Sequence, residues 1–186
     1  MTVILTSPIH SLPSTPIHGG LSLEDASLAA RRGVRGRHAA DHLRDQGLTV
    51  PPVPNQIVAS GDDQWVMALS RQEFWIINPQ QLATAAMPDS TAIASEVWPL
   101  YCQHSHSWLI LQGAQRADVA AKLCAVDLRS EAFPLGAVAQ TQAARVSVII
   151  AHHTNSQQQP VFSLFVDQAV SEYLWLTLQD AMGEFI

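Results

Sequence analysis

Two cysteines and eight histidines are the side chains of this 186-residue chain best suited to metal or nucleophilic chemistry. Cys102, His104 and His106 alternate as Cys-x-His-x-His. On a strand, alternation puts all three on one face, and a thiolate with two imidazoles is a zinc-type donor set. A fourth ligand and the groups that would orient the first three are not identifiable, so a polar loop entering a strand is the simpler expectation. His38 and His42 stand four residues apart on an expected helix and share a face. Ala39, Ala40 and Asp41 lie between them, with no Glu beside the first His to act as a base, which favours a solvated helix face over a zinc helix. His152 and His153 are adjacent; ending a strand, they point to opposite sides and do not readily share a metal.

Cys124 sits among apolar neighbours in an Ala-rich segment and reads as a small core residue. Asp127 either holds a ligand amine or caps its own loop backbone, and the cap is the expectation. Arg31, Arg32, Arg35, Arg37 and Arg44 form the chief basic concentration, facing an acidic partner, an acidic ligand tail or solvent. The glycines make no G-x-G-x-x-G or Walker loop, and no Gly-x-Ser-x-Gly elbow occurs. No residue is therefore assigned a catalytic, cofactor-binding or metal-binding role.

These residues need elements to position them. Trp108–Leu111, ended by Gly113, reads as a buried strand. Gln115–Cys124 reads as a compact helix, Phe133–Gly136 as a turn, and 137–141 and 146–151 as two strands. Upstream, residues 21–47 read as a helical region with a break, where Gly33 and Gly36 bracket Val34 as a short strand or turn, ending at the helix stop Gly47. Asn55–Ala59 is a candidate strand, and Trp65–Leu69 and Phe74–Ile77 an antiparallel pair. Residues 79–90 read as a loop or short helix, and 91–101 carry no clear pattern apart from Pro99, which opposes a helix. Near the C-terminus, 161–166 read as a strand and 169–182 as a helix.

Residues 1–20, with three prolines and several scattered apolar side chains, read as an extended N-terminal arm lying on a partner or on its own domain. Residues 21–186 read as a single domain of two halves, about 21–95 and 96–186. The halves echo each other: Gly36 and Gly113 each open an Ala-rich helix followed by two strands.

Charged residues make up 14% of the chain, against about 25% for typical soluble domains, which suits a surface partly covered by a partner. Five tryptophans add core and interface anchors. A net charge of −6 argues against general nucleic-acid binding. Two cysteines fit a reduced, cytoplasmic chain, and no signal peptide or membrane span is expected.

Four stretches carry a family resemblance. They are Gly33-Val34-Arg35-Gly36 with Ala39, Ala40, Leu43, Gly47, Leu48 and 51–55; Ser105–Trp108 leading to Gly113; Val126-Asp127-Leu128 with Phe133-Pro134 and Gln140-Thr141; and Tyr173–Phe185. Together they resemble the gamma subunit of heterotetrameric sarcosine oxidases. The resemblance implies an α+β fold of two similar strand-helix-strand-strand halves packed together, like the folate-binding domains of the glycine-cleavage T-protein. It implies that this chain is a non-catalytic subunit that holds no cofactor, with alpha, beta and delta-type partners; of FAD, FMN, NAD and tetrahydrofolate, the flavin chemistry sits in the beta subunit and the dinucleotide and tetrahydrofolate sites in the alpha subunit. It leaves open whether the complex demethylates sarcosine or another N-methyl amine.

Three functions follow as expectations: the structural subunit; a free-standing folate-binding, one-carbon transfer protein; and a metal-dependent hydrolase built on Cys102, His104 and His106.

Overall fold

A computed structural model describes residues 6–9, 12, 20–61, 63–83 and 96–185. In chain order it contains β1 (Ser22–Asp25), β2 (Ala29–Gly36), α1 (Ala39–Asp45), β3 (Gln56–Ala59), β4 (Trp65–Ala68) and β5 (Glu73–Leu82). The second half runs β6 (Val97–Leu100), α2 (Cys102–Ser105), β7 (His106–Gln112), α3 (Arg116–Ala121), β8 (Val138–Ala143), β9 (Val146–Thr154), β10 (Pro160–Asp167) and α4 (Ser171–Met182). The fold is α+β, with two five-stranded antiparallel sheets.

The chain divides into two compact units: Leu28–Ser105 in one, Thr6–Ser27 with His106–Ile186 in the other. The sheet of the first has the order β3-β4-β5-β2-β6, and that of the second β8-β9-β10-β7-β1. The two orders correspond strand for strand. Each half of the sequence supplies an edge strand, a second strand, a helix and three antiparallel strands. The edge strand of each half pairs in the other half's sheet: β1 on β7, and β6 on β2.

Ser22–Asp25 and Ala29–Gly36 are strands, so the short strand expected around Val34 is part of a long one and the helix expected before it is absent. Glycine at 33 and 36 disfavours helix. In β2 the residues Ala29, Arg31 and Gly33 are buried in alternation, and the buried Arg31 hides the apolar period that would have signalled a strand. Helix begins only at Ala39, where Ala39 and Leu43 pack on Val34, Val66, Phe74 and Ile76. It stops at Gly47, at φ +79, where Leu48 N donates to Leu43 O at 3.1 Å.

The expected pair of strands after it is present, Trp65 opposite Ile77 and Ala68 opposite Phe74. β5 runs on through Leu82, so 79–82 are strand rather than loop or helix, and residues 84–90 lie outside the described residues. Pro99 sits in β6, an edge strand, where its missing N–H costs no ladder bond.

In the second unit one face of the sheet presents Leu109, Leu111, Val148, Ile150, Phe162 and Leu164 to a core shared with Val119 of α3 and Leu174, Trp175 and Leu178 of α4. Ile9, 3% exposed, joins the same core, so this part of the arm lies on its own chain. Lys122 donates to the Ala181 carbonyl at 3.0 Å, placing a cation at the C-terminus of α4. α3 is shorter than the expected helix; Cys124 lies beyond it, buried and bridged to Ala143 of β8.

Candidate functional site

The histidine doublet organises the second unit. His152 and His153 point to opposite faces of β9, as their adjacency requires, and both are buried, at 2% and 1% exposure. Ser163 lies 2.7 Å from His153 Nε2, and His153 Nδ1 lies 2.9 Å from the Thr154 carbonyl. Trp108 Nε1 donates to the same Ser163 hydroxyl at 2.8 Å. One proton arrangement satisfies all three groups: Nδ1–H of a neutral His153 donates to Thr154, and the hydroxyl accepts from Trp108 and donates to Nε2. Burial pushes the imidazole well down, to about 4, which keeps it neutral.

A serine beside a histidine base is the arrangement of a nucleophile. Here Ser163 and Trp108 are fully buried, and the serine oxygen is engaged by the indole N–H. The pair is a buried polar connection between β7, β9 and β10. Sequence reasoning missed it because Ser163 and Trp108 carry no local signal; their partner residues come from three strands.

On the opposite face, His152 Nδ1 donates to the Phe133 carbonyl at 2.7 Å, and Arg116 Nη2 donates to Nε2 at 3.2 Å. The ring stacks on Phe133 and meets Phe162 edge-on, and the Arg116 guanidinium stands over Phe162. Burial, with Arg116 alongside, lowers the His152 pKa.

The other candidates separate. Cys102 and His104 lie on the single helical turn α2, and His106 opens β7, so the three do not alternate along one strand. Tyr101 accepts from His104 N and Ser105 N, which closes that turn and rotates Cys102 inward. Burial pushes the Cys102 thiol up to about 12, far from a reactive thiolate. Among the described residues no three His, Cys, Asp or Glu side chains are grouped to hold a metal. His38, at the start of α1, pairs with Glu96 at 3.3 Å, while His42 accepts from Gln46 at 2.9 Å. The carboxylate of Asp127 accepts from the backbone N–H and guanidinium of Arg129, as a loop cap does, and that contact holds it down at about 2.

The arginines do not form one basic face. Arg35 pairs with Glu73 and Arg44 with Asp41, while Arg31 is 5% exposed and donates to the carbonyls of Ala29, Cys102 and Gln103. Glycine spacing in β2 serves packing: a side chain at Gly33 would press on Leu100 and Trp75, and one at Gly36 would overlap the Glu96 carbonyl. Neither glycine lies in a strand-to-helix turn open to a phosphate, and the residues present do not fit a dinucleotide loop.

One open cavity, of about 360 Å³, lies within the first unit, between the ends of β2 and β5 and the α2 turn. Arg31, Arg32 and His104 are in its wall, with Gln64, Asn78 and Gln81 beside them.

Two five-stranded antiparallel sheets with few helices define a fold-level class, that of the folate-binding domain of the glycine-cleavage T-protein. The chain matches the glycine cleavage system aminomethyltransferase T from Bartonella henselae with a TM-score of 0.62 and 17% identity. That match covers 89% of this chain and 46% of the other, so the chain spans less than half of that relative's length. A second match is to a chain of the heterotetrameric sarcosine oxidase from Corynebacterium sp. U-96 in complex with pyrrole 2-carboxylate, with a TM-score of 0.78 and 20% identity over 97% of this chain and 96% of that one. The chain belongs to the sarcosine oxidase, gamma subunit family, whose family model matches residues 35–184. No curated protein matches it.

Proposed function

We propose that this chain is a non-catalytic gamma-type subunit of a cytoplasmic flavoenzyme complex that oxidatively demethylates sarcosine or a related N-methyl amine. The observation that carries the reading is coverage: the fold matches a sarcosine oxidase chain from end to end on both sides, at 97% and 96%. The redox and one-carbon chemistry is supplied by FAD, FMN, NAD and tetrahydrofolate held in alpha, beta and delta-type partners. This chain's own residues support assembly. Its Ser163–His153 pair is closed to substrate, and its Cys102 thiol is held protonated. Trp98, 59% exposed on the edge strand β6, is the kind of large side chain that anchors an interface.

The test is affinity purification of the tagged chain from its host, with subunit masses, a visible spectrum and a sarcosine oxidation assay. Large partner chains, a yellow flavin band and activity are the expected result. A colourless chain recovered alone overturns the reading. It would move the protein to the free-standing folate-binding, one-carbon transfer function, which predicts saturable tetrahydrofolate binding by the isolated chain.

A further inference from the structure

We propose that the cavity of the first unit is a binding site for a small organic carboxylate with an apolar or aromatic body. At about 360 Å³ it falls within the range of about 300–1,000 Å³ usual for small-molecule sites. Its wall holds the two arginines Arg31 and Arg32 and the imidazole of His104, with no Asp or Glu among the described lining residues. This is unusual in a chain whose acidic residues outnumber its basic ones, 16 to 10.

Arg31 is almost wholly buried, and the three backbone carbonyls it donates to fix its position. A cation held there is poorly screened, and its field extends into the cavity. Arg32 is exposed, and Gln46 takes one of its N–H groups at 3.1 Å; the guanidinium keeps further donors for a ligand. Gln64, Asn78 and Gln81 add neutral amide donors that suit a carboxylate.

The remaining wall is apolar. Ile76, Leu82, Leu100 and Tyr101 line it, and Leu82 and Tyr101 are 74% and 46% exposed. A compact inorganic anion would leave that surface unused. A benzoate-like molecule would place its ring there and its carboxylate toward the exposed Arg32 guanidinium.

The site is tested by ¹⁹F NMR on the full chain, with 4-fluorobenzoate as the probe and neutral 4-fluorobenzamide as the control. Saturable broadening of the benzoate signal is expected, weakened about tenfold in Arg32→Gln through loss of a charge-assisted hydrogen bond. The benzamide should bind weaker by a similar factor. Should R32Q lose its fold, as read by circular dichroism, His104→Gln provides the same comparison at a second exposed wall residue. No saturable broadening, equal binding of the amide, or wild-type affinity in the folded variant would each overturn the site. The outcome is independent of complex assembly: a chain that binds the benzoate without partners keeps this site even if the subunit reading fails.

Discussion

Ser163 meets two buried nitrogen groups with one hydroxyl, and its removal takes that contact from both. Ser163→Ala removes the hydroxyl that Trp108 Nε1–H donates to and that faces His153 Nε2, in a buried site. The expected cost is about 2–4 kcal/mol, read as a lowered urea midpoint with an unchanged slope. An unchanged midpoint would show that the network contributes nothing.

His153 adds a pH dependence. Its folded pKa of about 4 lies below the ordinary 6.5, so the unfolded chain binds the proton more readily. Stability from this group is complete above pH 6.5 and declines as pH falls toward about 4. The loss is on the order of 3 kcal/mol. Unfolding curves between these limits should show the decline, and His153→Gln should flatten it; a profile that stays as steep in the variant refutes the assignment to His153. The adjacency of His152 and His153 correctly indicates opposite faces in the sequence. What each ring meets is set by residues brought alongside from other strands.

At the scale of elements, the two helices that follow β2 and β7 each start beyond a glycine that a side chain would block. Gly113 has φ +121, and a Cβ there would lie 2.6 Å from the Gly20 carbonyl oxygen. Gly36 has φ +152 and meets the backbone of Glu96 and Val97. In each case the crowding backbone leads into the edge strand exchanged from the other half, β1 or β6. Gly113→Ala should therefore disturb the β1–β7 pairing as well as the turn. It should cost more than about 2 kcal/mol, with loss of hydrogen-exchange protection in β1 ahead of the rest of the sheet. Uniform protection across both strands would separate the glycine from the pairing. The turn glycines and their Ala-rich helices are legible in the sequence as an echo between halves. The strands of residues 21–36 are not, because Arg31 is buried by backbone carbonyls that only the α2 turn supplies.

At the scale of the molecule, strand exchange makes the halves of the sequence interdependent. Residues 1–95 lack β6, the edge strand of their own sheet, and carry β1, whose partner β7 is on the other half. Expressed separately, 1–95 and 96–186 should each show little cooperative unfolding, because each exposes the backbone edge left by its missing strand. Expressed together, they should recover one cooperative transition. Two fragments that each unfold cooperatively alone would show that the exchanged strands are dispensable.

The sequence by itself determined the fold class, the family resemblance and most elements whose apolar period or glycine punctuation is local: β4, β7, β8, β9, β10, α1 and α4. It also indicated that Asp127 caps its loop, since that contact spans two residues. The tertiary structure decided what depends on distant partners. It exchanged β1 and β6, buried Arg31, put Cys102 and His106 on different elements, joined Ser163 to His153 and Trp108, and formed the cationic cavity. Local periodicity reports which way a side chain points along its own element. Which strand pairs with which, and what a buried polar group meets, are settled only when segments up to 90 residues apart, such as Ser22 and Gln112, lie side by side.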